Sequence, residues 1–464
     1  MHNLSQLEEY TNDIATATKH LADQITDAGL SASDSTSSFS KPHLNVPSDR
    51  NRELHRARQN VLASLKRFQM FLAEPLDFVQ ELASQSQLLA CLRWLRSFQI
   101  LPCIPLNDSA SLKDVADLAG VPEAQLSRVV RMTATAGFLH EPQPGLIAHT
   151  ALSASFVTQL SYLDAAMFLA ETGAPAALQM AAATKLQGQP GGPNDAVTAY
   201  AVAFNTSQTF PVACDQRKKL QRQWLAYFRC SVDVEETVPE ILGRLDWIRV
   251  GNACVVDVCA RSAEAATALA ELSPTLHFVV QLGEPPSAIS NGAESGRTGT
   301  HSQIEQGAFN GLSTRISIQR RAAGSPQTVR DAAVYMFRAA LADPGELSPA
   351  ESRDALILPE LWAHLGVLKS NPAATFVLVA CLQPDPDSVD PDVEAAARLR
   401  NLWKMQLANT HEMEVGELTE LISGVHDGVG GLVVVDKRHS RYSSTVAFGI
   451  KYQTYTRRQN GAEQ

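Results

Sequence analysis

Cys259 stands where a short apolar run, Cys254 to Val258, gives way to a helical pattern. A thiol at a helix N-terminus beside a cation, here Arg261, is the arrangement that lowers a cysteine pKa and makes a nucleophile. The competing account is a small, inert core thiol. That account is favoured, because the seven cysteines are scattered, with no CxxC pair and no metal-ligand spacing. His364, His411, His426 and His439 lie in the second half, and none sits in a nucleophile or metal motif. Each is expected to be a surface or satisfied-core histidine, and no metal site is expected. Arg217, Lys218, Lys219 and Arg222 form a basic run. It fits a nuclear import signal or a solvated helix face, and the second is favoured.

The elements that must position these groups centre on Asn252 to Glu284. Cys254 to Val258 is apolar except for Asp257, as in the first strand of a buried parallel sheet. Ala263 to Leu272 has helical spacing, and Leu276 to Val280 is a second buried strand. Strand, turn, helix and strand make a βαβ unit of the nucleotide-binding kind. In such a unit the turn after the first strand is glycine-rich, so that the backbone approaches the ligand closely. Here the turn is Cys259, Ala260, Arg261, Ser262 and Ala263, with no glycine.

The string VVDV…LAELSPTLHFVVQ resembles motif I of the small-molecule S-adenosylmethionine-dependent O-methyltransferases, VVDVGGGxG…LAxxxPxLxxxVQDLP. On that resemblance the first glycines fall on Cys259, Ala260 and Arg261 and the last on Ala263. The ribose-binding aspartate falls on Leu282. A second family motif, LRHxLHDWxD, carries the general base; here it reads MFRAALADPGE, with Arg338 and Leu341 keeping the frame and the base position on Ala342. Alanine cannot take a proton. Arg261 could also set a cation where the sulfonium should go. The resemblance therefore implies the family's fold without its catalytic residues, cofactor-binding residues or cofactor.

Length and composition agree with two domains. The chain has 464 residues, 45% hydrophobic and 19% charged. A net charge of −10 disfavours a general nucleic-acid or anionic-membrane binder. No apolar run reaches membrane-spanning length, and an odd cysteine count with no opening signal peptide suits a reducing, intracellular setting. The expected fold class is α/β: a mainly helical winged-helix and dimerisation region, then a doubly wound, Rossmann-type methyltransferase-like domain. The expected boundaries are 1–50 for an N-terminal helix and Ser-rich linker, 51–240 for the helical domain and 241–464 for the methyltransferase-like domain.

Leu4 to Ile25 carries Leu4, Leu7, Ile14, Ala17 and Leu21 at helical spacing, and Asn51 to Leu72 carries Val61, Leu62, Leu65, Phe68 and Phe71. Ser153 to Ala183 also has a buried helical pattern. Ser111 to Thr150 has the pattern of a winged helix-turn-helix: Ser111 as cap, Gly120 as turn, Pro122 at a second helix start, then two short strands. DNA binding is disfavoured, since the second helix offers only Arg128 and Arg131 as cations. A dimerisation or substrate-lid module is the expected role, as in plant and fungal O-methyltransferases. Pro285 to Gly307 is expected to be an exposed insertion.

A helical, Ser-rich N-terminal extension, a winged helix and a degenerate methyltransferase domain together resemble one fungal group. These are the transcriptional co-activators of aromatic polyketide gene clusters, of the aflatoxin-cluster type. The resemblance implies a non-enzymatic protein of nucleus and cytoplasm that binds the cluster's zinc-cluster transcription factor, with homodimerisation and no direct DNA binding. Two alternatives stay open: a biosynthetic enzyme with changed chemistry, such as a cyclase or pericyclase, and an active O-methyltransferase. Lys437 to Arg458 holds six Lys/Arg and no Asp/Glu. It suits an acidic partner, though charge-protected edge strands are favoured.

Overall fold

A computed structural model describes residues 4–27, 48–188, 197–231, 242, 251–283, 315–339, 353–386, 388–440 and 443–455. Most of the Ser-rich linker, the insertion expected at Pro285 to Gly307, and Ala342 lie outside the described residues. Contacts divide the chain into two compact units. One is Met1–Val232 with Asp390–Asp392 and Met405–Asn409. The other is Asp233–Val389 with Val393–Lys404 and Thr410–Gln464.

The first unit begins with two long helices, α1 (Leu4–Asp27) and α2 (Ser48–Leu72). Leu7, Tyr10, Ile14, Ala17 and Leu21 recur at alternating spacings of three and four, and all are half-buried. Leu54, Ala57, Val61, Ser64, Phe68 and Phe71 follow the same spacings on α2, with Ala57 and Ser64 buried and the others half-buried. That is the period at which helices seat side chains between one another's. Tyr10 lies 6.0 Å from Phe68 and 5.1 Å from Phe71, ring centre to ring centre. This corrects the expected α2 stripe. Leu62 and Leu65 belong to the exposed side, and Leu4 is exposed too.

After α3 (Pro75–Ser97) comes the winged helix: β1 (Ser109–Ser111), α4 (Leu112–Ala119), α5 (Glu123–Ala134), β2 (Leu139–His140) and β3 (Leu146–His149). The Ser111 hydroxyl accepts from the Asp114 N–H at 3.4 Å, and Gly120 ends α4 at φ 68°. β1 pairs antiparallel with β3 and has no counterpart in the sequence reading; three small residues leave no alternating pattern. Its core joins Leu95, Ile100, Leu112, Leu126, Val130 and Ile147. Buried His149 ties β3 to its surroundings: Nε2 donates to the Leu101 carbonyl at 3.1 Å, so Nδ1 accepts from the Ser153 hydroxyl at 2.9 Å.

The helical stretch expected over Ser153 to Ala183 is broken into short pieces: α6 (Ala151–Thr158), α7 (Leu160–Phe168), a π-turn (Leu169–Gly173), α8 (Ala174–Ala177) and α9 (Met180–Gln187). Leu178 within it is exposed rather than buried. α10 (Ala199–Phe204), α11 (Phe210–Gln216) and α12 (Lys218–Ser231) complete the unit. Phe168 packs against Trp224 and Tyr227, each at 5.0 Å. Of the basic run, Lys219 pairs with Glu171 at 2.7 Å and Arg222 with Asp164 at 2.7 Å. These cations brace α12 rather than simply facing water.

The second unit is a seven-stranded sheet in the order β6-β5-β4-β7-β8-β10-β9. Its strands are β4 (Cys254–Ala260), β5 (His277–Gly283), β6 (Ile316–Arg321), β7 (Val334–Arg338), β8 (Thr375–Cys381), β9 (Gly430–His439) and β10 (Thr445–Thr454). β4 to β8 pair in parallel, and β10 runs antiparallel to both β8 and β9. Among the described residues four helices accompany them: α13 (Glu264–Leu272), α14 (Arg353–Ser370), α15 (Pro391–Ala408) and α16 (Val415–Ser423). Apolar residues pack on both sheet faces, which is why the strands are nearly continuous apolar runs.

Candidate functional site

From β4 the chain moves outward to β5 and β6, then returns to β7 on the other side of β4. Open α/β sheets bind ligands at such a reversal, outside the carboxyl ends of the strands. Asp257 on β4 and Arg338 at the end of β7 meet there. Arg338 Nη2 donates to Asp257 Oδ2 at 2.8 Å and Nε to Oδ1 at 3.3 Å. Asp257 is fully buried and Arg338 nearly so. The pair joins the two strands across the reversal and engages both carboxylate oxygens.

The turn expected at Cys259 to Ala263 is shorter than the sequence suggested. β4 runs on through Cys259 and Ala260, with a register shift against β5 between Asp257 and Ala260. Cys259 lies at φ 52°, in the left-handed region that favours glycine. Its side chain turns inward, and Sγ donates to Glu360 Oε1 on α14 at 3.3 Å. A carboxylate neighbour disfavours a thiolate. The nucleophile account therefore gives way to the buried thiol. Ala260 is buried in the core with Ala266 and Leu269, while Ala263 packs against its edge as the residue preceding α13. Arg261 is exposed, and Leu282 is half-buried beside the same core.

Glu360 is the hub of a buried polar network. It accepts from Arg321 Nη1 at 2.9 and 3.1 Å and from the Gly324 N–H at 2.6 Å, as well as from Cys259. Arg321 Nη2 donates to the Ser325 carbonyl. One turn along α14, His364 Nδ1 donates to the Glu360 carbonyl at 2.7 Å, so Nε2 accepts from Gln327 at 2.9 Å. Gln327 in turn exchanges two hydrogen bonds with Gln281 on β5, at 2.7 and 3.0 Å. Burial pushes the His364 pKa down to about 4, with Arg321 adding to the effect and Glu360 opposing it. The ring is neutral, wedged between Tyr335 and Phe376.

Sequence reasoning missed this network, although it left a trace. Glu360 is an acid inside the apolar run ALILPELWAHL, and Gln281 interrupts FVVQL. His364 is the satisfied core residue expected of it. His411 and His426 are exposed; His411 lies 3.7 Å from Glu417. Partial burial and Lys437 push the exposed His439 down. Among the described residues, no group of three or more His, Cys, Asp or Glu is placed to hold a metal ion.

Of the positions the resemblance assigns to S-adenosylmethionine, Leu282 carries no carboxylate, Cys259 turns to Glu360 and Ala260 lies in the core, while Asp257 and Glu360 are each paired with an arginine.

The winged helix shows a similar inward use of charge. Arg131 forks onto Glu141 of the wing at 2.8 and 3.2 Å. Arg131 and the Gly145 N–H hold the Glu141 carboxyl down at about 2. Of the two cations on α5, this leaves Arg128 exposed and outside any ion pair among the described residues.

The sheet order and the helices define an S-adenosylmethionine-dependent O-methyltransferase-like fold. The chain is similar to a solved structure of LepI with S-adenosylmethionine, with a TM-score of 0.57 at 15% identity, covering 86% of this chain and 94% of that one. It is also similar to the mitomycin 7-O-methyltransferase MmcR, with a TM-score of 0.52 at 16% identity over 81% and 97%. At those identities the likeness is one of fold. Residues 4–73 match the model of the N-terminal domain of the trypacidin cluster transcriptional coactivator tpcD. The chain is 50% identical to a transcriptional coactivator of Pseudocercospora fijiensis, over 79% of this chain and 97% of the relative. It is 42% identical to the monodictyphenone cluster transcriptional coactivator mdpA of Emericella nidulans, over 98% and 100%. The chain belongs to the family of transcriptional coactivators of secondary-metabolite gene clusters.

Proposed function

We propose that this chain is a non-enzymatic coactivator that works by binding the zinc-cluster transcription factor of its own gene cluster, in the nucleus and with a cytoplasmic pool. The observation that supports this reading is the pairing of Asp257 with Arg338 and of Glu360 with Arg321 near the strand reversal, which commits these buried charges to one another. Cys259, Ala260, Arg261, Ala263 and Leu282 have no cofactor role, and Ala342 no catalytic one. In keeping with this, mdpA is named a transcriptional coactivator of the monodictyphenone cluster. The division into 1–50, 51–240 and 241–464 serves as extension, dimerisation region and degenerate methyltransferase domain. Homodimerisation draws on the first half of α3, where Leu76, Phe78, Val79 and Leu82 are all exposed.

The deciding experiment is deletion of the gene in a producing strain. Transcripts of most cluster genes should fall and the whole pathway should stop. Intact transcripts with one accumulated intermediate would instead assign a biosynthetic enzyme with changed chemistry. Calorimetric titration of the purified chain with S-adenosylmethionine should show no binding tighter than about millimolar. Micromolar affinity would overturn the pseudoenzyme reading.

A further inference from the structure

α2 has a second stripe, each residue one position on from its seam with α1 and so about 100° further round the helix. Arg58, Leu62, Leu65, Gln69 and Leu72 follow one another at spacings of four and three, the period of the seam itself, and all five are exposed. Leu62, Leu65 and Leu72 are 42, 46 and 41% exposed. Three leucines in register along a helix form a seat for another helix. The two helices already joined show which kind. α1 holds five carboxylates against the single Lys19, whereas α2 holds six Lys/Arg against Asp49 and Glu53. The seam therefore joins an acidic helix to a basic one. Lys66, next to the stripe, takes Asp392 at 2.8 Å, a further sign that this side of α2 attracts carboxylates.

We propose that the outer face of α2 docks an acidic amphipathic helix of a partner protein, completing a three-helix bundle with α1 and α2. The leucines supply the apolar seat. Arg58 and the basic charge of α2 select acidic flanks and reject basic ones. The matched family domain, 4–73, spans α1 and α2. The assignment of that helix to a transcription factor, rather than the docking face itself, rests on the coactivator reading above.

The test titrates the full chain against two labelled synthetic helical peptides by fluorescence anisotropy. Both have leucine at the seam positions; one has glutamate on the flanks and the other lysine. The acidic peptide should bind at least about tenfold tighter than the basic one. The variant carrying Leu62→Glu, Leu65→Glu and Leu72→Glu should weaken it by about tenfold or more. Arg58→Glu, a single change on the exposed side, should narrow the preference between the peptides while leaving the helical circular dichroism unchanged. Equal binding of the two peptides, or no binding of either, overturns the proposal. So does a halved mass of the leucine variant in light scattering, since the stripe would then be covered by a second copy. The cluster's own transcription factor is then tested for capture by the wild-type chain and by Arg58→Glu. If the acidic peptide binds and the factor is not captured, the docking face stands and the transcription-factor reading falls.

Discussion

Glu360 is fully buried and accepts from Cys259, Arg321 and Gly324, whereas Arg58 stands exposed in a row of leucines on α2. The two places handle charge by opposite rules. A charge taken out of water must be matched inside the fold, because an uncompensated one is strongly unfavourable. Once matched, as Glu360 and Asp257 are, it has no capacity left for a ligand. A cation at the surface is stable unpaired and gains from whatever arrives. In an enzyme of this fold the strand ends bind and the outer helices support. Here Asp257 and Glu360 at the strand ends are paired with arginines, and the binding face proposed above lies on the exposed side of α2.

The largest effect should come from breaking the interior side of that comparison. Glu360→Ala leaves the Arg321 guanidinium buried without its anion, which should destabilise the second unit by about 3–5 kcal/mol. Denaturant unfolding measures it. Leu62→Glu, Leu65→Glu and Leu72→Glu together should leave the midpoint nearly unchanged, because those side chains face solvent. Equal losses from both sets would erase the distinction between the regions.

Gly324→Ala ranks next. Gly324 sits at φ 70°, and an added Cβ would lie 2.9 Å from the Pro359 Cβ. Left-handed backbone alone costs an alanine about 1–2 kcal/mol, and the contact with a rigid ring adds to it. The substitution pushes α14 away from the loop that supplies an N–H to Glu360. The same unfolding measurement should show a loss smaller than that of Glu360→Ala. A neutral outcome would mean that the Glu360 hub does not depend on that close approach.

How much of this was legible in the sequence follows from range and period. The parallel strands were readable because a strand buried on both faces is one apolar run. The winged helix announced itself through Ser111, Gly120 and Pro122, local signals that act within a few residues. The α2 face was misplaced because α2 carries two apolar stripes of the same period. Only the position of α1 decides that Phe68 and Phe71 turn inward while Leu62 and Leu65 stay out. The Glu360 network joins residues from β4, β5, β6 and α14, so no local spacing encodes it. Asp257 was visible as an interruption in an apolar run, but its partner Arg338 lies 81 positions away in sequence.

The smallest effect, and the finest test of the comparison, comes from acid. His364 has an ordinary pKa of 6.5 lowered to about 4 by burial. A base held neutral in the folded state contributes stability that is complete above the unfolded pKa. That contribution is lost as the unfolded chain takes up the proton, from pH 6.5 down to about 4. His149, also lowered by burial, acts in the same direction. Glu141 is an acid with its pKa lowered from 4.5 to about 2 by Arg131 and Gly145. Its contribution is present above pH 4.5 and fades as the pH falls towards 2. The two windows barely overlap, so one acid titration of stability separates interior from surface. Replacing His364 by glutamine should flatten the upper limb at any ionic strength, because a buried ring is little screened. Arg131→Ala should alter only the lower limb, slightly, and the change should vanish in high salt. Arg131→Ala should also leave the chain as unable to shift cluster-promoter DNA as the wild type, since Arg131 is already committed to Glu141. A promoter shift by wild type that Arg131→Ala abolishes would place Arg131 at a DNA contact and return the winged helix to the binding side of the comparison.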